Sequence, residues 1–117
     1  MTEAPTVFAA IADPTRRGIL ERLRGRELAA GEVGRAFPAI SQPGMSRHLR
    51  VLRESGLVDA RRDEQRWVYS LRPKGFSELD AWISHYRAFW PEQLDALARH
   101  LDGGQPARKK SSTRPSP

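Results

Sequence analysis

Apolar residues recur at helical spacing from the start of the chain. Val7, Phe8 and Ile11 form a short patch suited to a helix with one face to bury, and Ile19, Leu20 and Leu23 supply a second stripe. Asp13-Pro14 separates the two, since aspartate is a good N-cap and proline fits the first helical position, where its missing N–H costs nothing. Gly25 is the expected stop. Leu28, Val33 and Phe37 predict a shorter helix ending at Phe37-Pro38, because a residue before proline is pushed out of helical geometry. After a turn, Ser41 caps a further helix that runs to about Glu54 and closes at Ser55-Gly56, with glycine in the left-handed position. The pair reads as helix, turn, helix.

Beyond Gly56 the period changes to alternation. Leu57 to Arg62 and Arg66 to Leu71 predict two short strands forming a hairpin, the wing. Asp63-Glu64-Gln65 lacks the Gly or Asn that a two-residue turn favours, which predicts a slightly longer loop. Between Pro73 and Leu101 the apolar residues, from Phe76 and Leu79 to Leu97 and Leu101, fall within a roughly 140° arc of a helical wheel, a stripe that needs a partner surface. Pro91 interrupts this run, and because a helix-interior proline costs on the order of 3 kcal/mol, a kink or two consecutive helices are expected there. Residues 103–117 show no apolar pattern and are expected to form a disordered basic tail. The expected organisation is one domain over residues 1–102, mainly α with a small β-hairpin wing (α+β): a winged helix-turn-helix whose terminal helices carry apolar faces suited to a partner.

Composition sharpens this picture. With 117 residues, 38% of them hydrophobic, the chain can bury one core and gains by sharing it with a partner. Its net charge of +6 is unevenly spread: residues 1–40 carry +1, residues 41–73 carry +3, residues 74–102 carry −2, and the tail carries +4. A basic middle beside a mildly acidic C-terminal region suits a protein with one face for phosphates and another for protein. The chain has no cysteine, which excludes disulfides, thiol redox chemistry and thiolate metal sites. No apolar run reaches membrane-spanning length and no secretory signal pattern opens the chain, so a soluble cytoplasmic protein with no membrane partner is expected.

The segment Ser41 to Arg66 carries the candidate function. On the helix beginning at Ser41, Met45, Leu49 and Leu52 share one side, while Ser46, Arg47 and Arg50 occupy a roughly 100° arc opposite, with Pro43 in the same outer arc. Short hydroxyls and guanidinium groups on a helix anchored in this way suit the DNA major groove, where Arg pairs with guanine and Ser or Gln contacts base edges or phosphates. Gln42 lies at the helix N-terminus, where free N–H groups attract phosphate. His48 lies beside Leu52, which suits packing or a phosphate contact better than metal ligation. Arg61, Arg62 and Arg66 flank the hairpin tip and are candidates to straddle the DNA backbone or enter a minor groove; solvated edge-strand charge is the competing explanation. Trp67 and Tyr69 alternate with Val68, so one set belongs to the core.

These residues resemble the arsenic-repressor-like (ArsR/SmtB-like) winged helix-turn-helix regulators over residues 5–101. The resemblance is carried by Asp13-Pro-Thr-Arg-Arg-Gly-Ile-Leu20, by Ser41-Gln-Pro-Gly-Met-Ser-Arg-His-Leu-Arg-Val-Leu-Arg-Glu-Ser-Gly-Leu-Val58, and by Arg66-Trp-Val-Tyr-Ser-Leu71. It implies a homodimer repressing from operator DNA, with Ser41 to Glu54 as recognition helix and an interface built from Phe8, Ile11, Leu79, Trp82, Ile83, Tyr86, Phe89, Trp90, Leu94 and Leu97. Metal-sensing members carry a Glu-Leu-Cys-Val-Cys-Asp-like box; here Glu27-Leu-Ala-Ala-Gly-Glu32 puts Ala29 and Gly31 where the thiolates would be. A second family metal site on the C-terminal helix is only loosely echoed by His85 and His100, which read as surface histidines. No metal and no cofactor are therefore expected. Phe89-Trp90-Pro91-Glu92-Gln93 is similar to the metal-independent, autorepressor-like subgroup, from which Pro91 and a longer Pro38-Ala39-Ile40 turn depart.

Two other function classes compete with DNA reading. A winged helix can serve as a protein-interaction module instead, but such a module would more often expose apolar residues where Ser46, Arg47 and Arg50 lie. An enzyme is not expected: no nucleophile-base pair or phosphate loop is visible, and Ser46 and His48 point roughly 160° apart on the wheel. The aromatic run from Trp82 to Trp90 reads as dimer core, and a small-molecule effector of unidentified chemistry is the open alternative for it.

Overall fold

The computed structural model describes residues 3–89 and 91–101, with side chains for all of these except 91–95. It divides the chain into two units, Met1–Asp80 and Ala81–Pro117.

The first unit begins with α1 (Val7–Ile11), started by Thr6, whose hydroxyl accepts from the Ala9 N–H at 3.0 Å. Helix α2 (Pro14–Arg22) follows at once, with Asp13 accepting from the Arg16 N–H at 3.0 Å and Pro14 in the first turn. Here the local signals alone account for the helix start. Strand β1 (Leu28–Ala29), α3 (Ala30–Arg35), α4 (Gln42–Glu54), β2 (Val58–Asp63) and β3 (Arg66–Leu71) complete the helix-turn-helix and hairpin. A 3-10 turn (Pro73–Phe76) leads into α5 (Ser77–Arg87).

Two features differ from the expectations raised by the sequence. Leu28 does not open a helix: Leu28 and Ala29 pair antiparallel with Tyr69 and Val68, giving a three-stranded sheet in the order β1-β3-β2. A two-residue strand has no periodicity of its own, and it forms because the open edge of β3 supplies partners for its backbone groups. The hairpin loop is also shorter than expected. Asp63 pairs with Arg66, so only Glu64 and Gln65 lie between the strands, and Glu64 takes φ 58°. Pairing up to the tip outweighs the left-handed conformation of a non-glycine residue, which costs about 1 kcal/mol or more.

The core joins the helices to the sheet. Ile19 and Leu23 of the α2 region, Val33 of α3, Leu52 of α4, and Leu57 and Val58 at the start of the hairpin are fully buried. Tyr69 and Leu79 belong to the same cluster, with Phe8 and Ile11 packed half-buried against it. Gly56 takes the left-handed conformation (φ 88°) that ends α4. Gly75 lies so close to it that a β-carbon at position 75 would fall on the Gly56 carbonyl.

In the second unit, the chain leaves α5 at Arg87 and enters α6 (Pro91–Leu101), so Pro91 opens a new helix and no helix has to bend around it. The Trp82 and Tyr86 rings lie 5.0 Å apart at a tilt, with His85 edge-on to Tyr86 at 5.7 Å. Ile83 (43%) and Phe89 (83%) are strongly exposed, as are Trp82, Tyr86, Leu97 and Leu101. Trp90, the Leu94 side chain and the tail 103–117 lie outside the described residues. Among the described residues, no helix is long and apolar enough to cross a membrane.

Candidate nucleic-acid interface

Helix α4 is fixed at its N-terminus by Ser41, whose hydroxyl accepts from the Gly44 N–H at 3.1 Å. Ser41, one of the residues expected to meet DNA, therefore caps the helix as its position in the sequence predicts. Met45, Leu49 and Leu52 are buried, while Gln42, Pro43, Ser46, Arg47 and Arg50 are exposed, so the helix is anchored on one side and presents amide, hydroxyl and guanidinium groups on the other.

His48 is half-buried, and its surroundings explain a run of residues whose role the sequence reading missed. Arg16 places one guanidinium on two carbonyls and beside a ring: Nε donates to the Ala10 carbonyl at 2.7 Å, Nη2 to the Ala9 carbonyl at 3.1 Å, and Nη1 lies 3.2 Å from His48 Nδ1, which accepts when the neutral ring carries its proton on Nε2. Arg17 Nη1 donates to the Ile11 carbonyl at 2.7 Å. Two arginines of Asp13-Pro-Thr-Arg-Arg therefore satisfy carbonyls at the C-terminal end of α1, where cations are favourable, and one of them also reaches the recognition helix. The signal available beforehand was two consecutive arginines just inside a helix start, directly after another helix. At Asp13 burial pushes the carboxyl pKa up, but the Arg16 N–H and the neighbouring His48 and Arg16 side chains outweigh it and hold the group below its ordinary value.

The wing arginines are divided by the structure. Arg61 Nη2 lies 2.7 Å from Glu27 Oε1, a link across 34 residues of sequence between the hairpin and the segment before β1. This hydrogen bond lowers the Glu27 pKa and raises that of Arg61. Arg66 pairs with Asp63 at 3.3 Å. Arg62 instead lies over the Trp67 ring, 5.4 Å from its centroid, and donates from Nε to the Glu64 carbonyl at 3.2 Å. Of the alternating aromatics, Tyr69 belongs to the core and Trp67, 42% exposed, belongs to the tip.

Two clefts open on this side of the first unit. One, of about 340 Å3, lies between α3 and α4 and is lined by Gly34, Arg35, Gln42 and Ser46 among others. The other, of about 400 Å3, lies between α3 and the hairpin tip and includes Arg35, Gln65, Arg66 and Trp67. Among the described residues, no three His, Asp or Glu side chains cluster to hold a metal ion.

A helix-turn-helix domain profile matches residues 11–61. The HTH-type transcriptional regulator Rv2034 of Mycobacterium tuberculosis is 41% identical over 95 residues, spanning 81% of this chain and 85% of that protein. The transcriptional repressor SdpR of Bacillus subtilis is 36% identical over 80 residues, spanning 68% of this chain and 88% of that protein. The crystal structure of an ArsR family transcriptional regulator superposes with a TM-score of 0.65 at 26% identity, covering 73% of this chain and 87% of that one.

Proposed function

Because the chain belongs to the ArsR/SmtB-like family of winged helix-turn-helix transcriptional regulators, we propose that it is a sequence-specific repressor that binds an inverted-repeat operator as a homodimer. The observation that carries this reading is the outer face of α4, where Gln42, Ser46, Arg47 and Arg50 are all exposed above a buried apolar anchor. Guanidinium groups in this position donate bidentate pairs to guanine, and Gln or Ser contacts adenine or phosphate. His48 steadies the helix through Arg16, and Pro43 fixes its first turn. On the wing, Arg62 is the cation most available to the DNA backbone, since Arg61 and Arg66 must first leave Glu27 and Asp63.

The second copy in this proposal covers the apolar stripe of Trp82, Ile83, Tyr86, Phe89 and Leu97, with Trp90 and Leu94 in the same stretch of sequence and Phe8 and Ile11 as a smaller contribution from the N-terminal helix. An exposed stripe of this size is characteristic of an interaction surface. Leu79 packs in the core of its own first unit and contributes least to this interface. With no cysteine in the chain, relief of repression does not run through a thiolate metal site; in this proposal the protein acts in the cytoplasm as a metal-independent regulator.

Two-fold symmetry places the recognition helices about one DNA turn, roughly 34 Å, apart. Selection of bound fragments from random DNA by the full chain should yield a palindrome. Arg50→Ala should then lose the selected sequence far more than random duplex; equal losses on both would make Arg50 a phosphate contact and overturn the reading face.

A further inference from the structure

The arginines of the first unit sort by what already holds them. Arg16, Arg17 and Arg26 donate to backbone carbonyls. Arg24, Arg61, Arg66 and Arg72 face carboxylates. Arg22 and Arg62 lie over the Phe37 and Trp67 rings. Among the described residues this leaves four with no such commitment: Arg47, Arg50 and Arg53 on the recognition helix, and Arg35 at the end of α3.

Arg35 is exposed and lines both clefts, with Gln42 and Ser46 on the wall of one and Gln65 and Arg66 on the wall of the other. The acid one turn earlier on its helix, Glu32, is directed to the Ala29 N–H at 2.7 Å. The position of Gly34 beside it is open, with nothing within 4 Å of where a β-carbon would lie. Because Gln42 and Ser46 share a cleft wall with Arg35, and Arg35 shares the next cleft with the wing tip, base edges read by Gln42 and Ser46 would bring an adjoining phosphate within the reach of Arg35. A forked, permanently charged donor at that point matches phosphate geometry.

We propose that Arg35 is a DNA-backbone contact of α3, seating a phosphate between the recognition helix and the wing. This rests on the DNA-reading role proposed above. As a phosphate contact, Arg35 sets affinity and register on the duplex and does not select sequence.

The test is fluorescence anisotropy of the full chain on a selected duplex and on a random duplex of equal length, across a salt series. Arg35→Gln should weaken both alike, roughly fivefold per bound protomer at physiological salt, and reduce the slope of log affinity against log salt by about 0.9 per protomer. Gly34→Glu, which introduces a carboxylate into the open cleft, should weaken both at least as much, whereas Gly34→Ala should bind as the parent does. Unchanged affinity and slope for Arg35→Gln would overturn the proposal, as would a loss confined to the selected duplex, which would mark a base contact. If the parent chain bound neither duplex, the DNA-reading role would fall and this inference with it; a DNA-binding parent with an indifferent Arg35 removes this inference alone.

Discussion

Replacing Arg16 with methionine keeps the aliphatic stem and removes all three guanidinium contacts: to the Ala10 carbonyl at 2.7 Å, the Ala9 carbonyl at 3.1 Å, and His48 Nδ1 at 3.2 Å. Hydrogen bonds to a charged group contribute about 1.5–3 kcal/mol each when shielded, and less in water. The Ala9 contact is exposed and the other two are part-buried, and because all three share one guanidinium they do not add independently. The expected loss is about 2 kcal/mol, which for a domain of this size lowers the melting temperature by roughly 10 °C. Arg16→Lys should recover only part of it, since one ammonium cannot span the fork. Thermal and urea unfolding of the full chain measures the loss, and a double-mutant cycle with His48→Ala isolates the link to α4. A melting temperature within about 2 °C of the parent would refute the claim that Arg16 fastens α1, and a coupling below about 0.3 kcal/mol would show that His48 takes no part in it.

Gly75→Ala should destabilise by about 3 kcal/mol in urea unfolding, because its β-carbon would meet the Gly56 backbone, which cannot move aside as a side chain can. Glu64→Asn should stabilise by about 0.5–1 kcal/mol, since asparagine tolerates the left-handed φ that glutamate is forced into here. Asp13→Asn keeps a capping side chain but not the charge. Because the Asp13 pKa is held below its ordinary 3.8, the ionised group contributes stability above that value and loses it as pH falls through the lowered folded pKa. Asp13→Asn should therefore melt below the parent at neutral pH, with the gap closing in acid; a gap independent of pH would count against this. Glu27→Gln should release Arg61 for phosphate, raising affinity for any duplex roughly fivefold and steepening the salt slope by about 0.9 per protomer, both read by anisotropy.

The helices that begin at Pro14 and Gln42 were legible because everything that starts them is local: Asp13 and Ser41 as caps, prolines in the first turns, and apolar residues at helical spacing behind them. The polar face of α4 followed from the same periodicity, since once Met45, Leu49 and Leu52 are buried, Ser46, Arg47 and Arg50 have to face outward. The helical stripe after Pro73 and its interruption at Pro91 were legible for the same reason.

What escaped sequence reading depends on residues distant in the chain. The strand Leu28–Ala29 exists only because β3 arrives beside it about 40 residues later, at Val68 and Tyr69. The two-residue turn at Glu64 is imposed by strand register against the turn's own preference. Charge composition identified a basic middle but not which cations were committed, so Arg61 and Arg62 looked equivalent until Glu27 and Trp67 were placed beside them. The sequence by itself determined where helices start, which faces are apolar, and that a polar helix face would be presented. Only the tertiary structure decided which arginines remain available to a ligand, because that depends on which carbonyls, carboxylates and rings the fold brings within a few ångströms, and no local pattern encodes that.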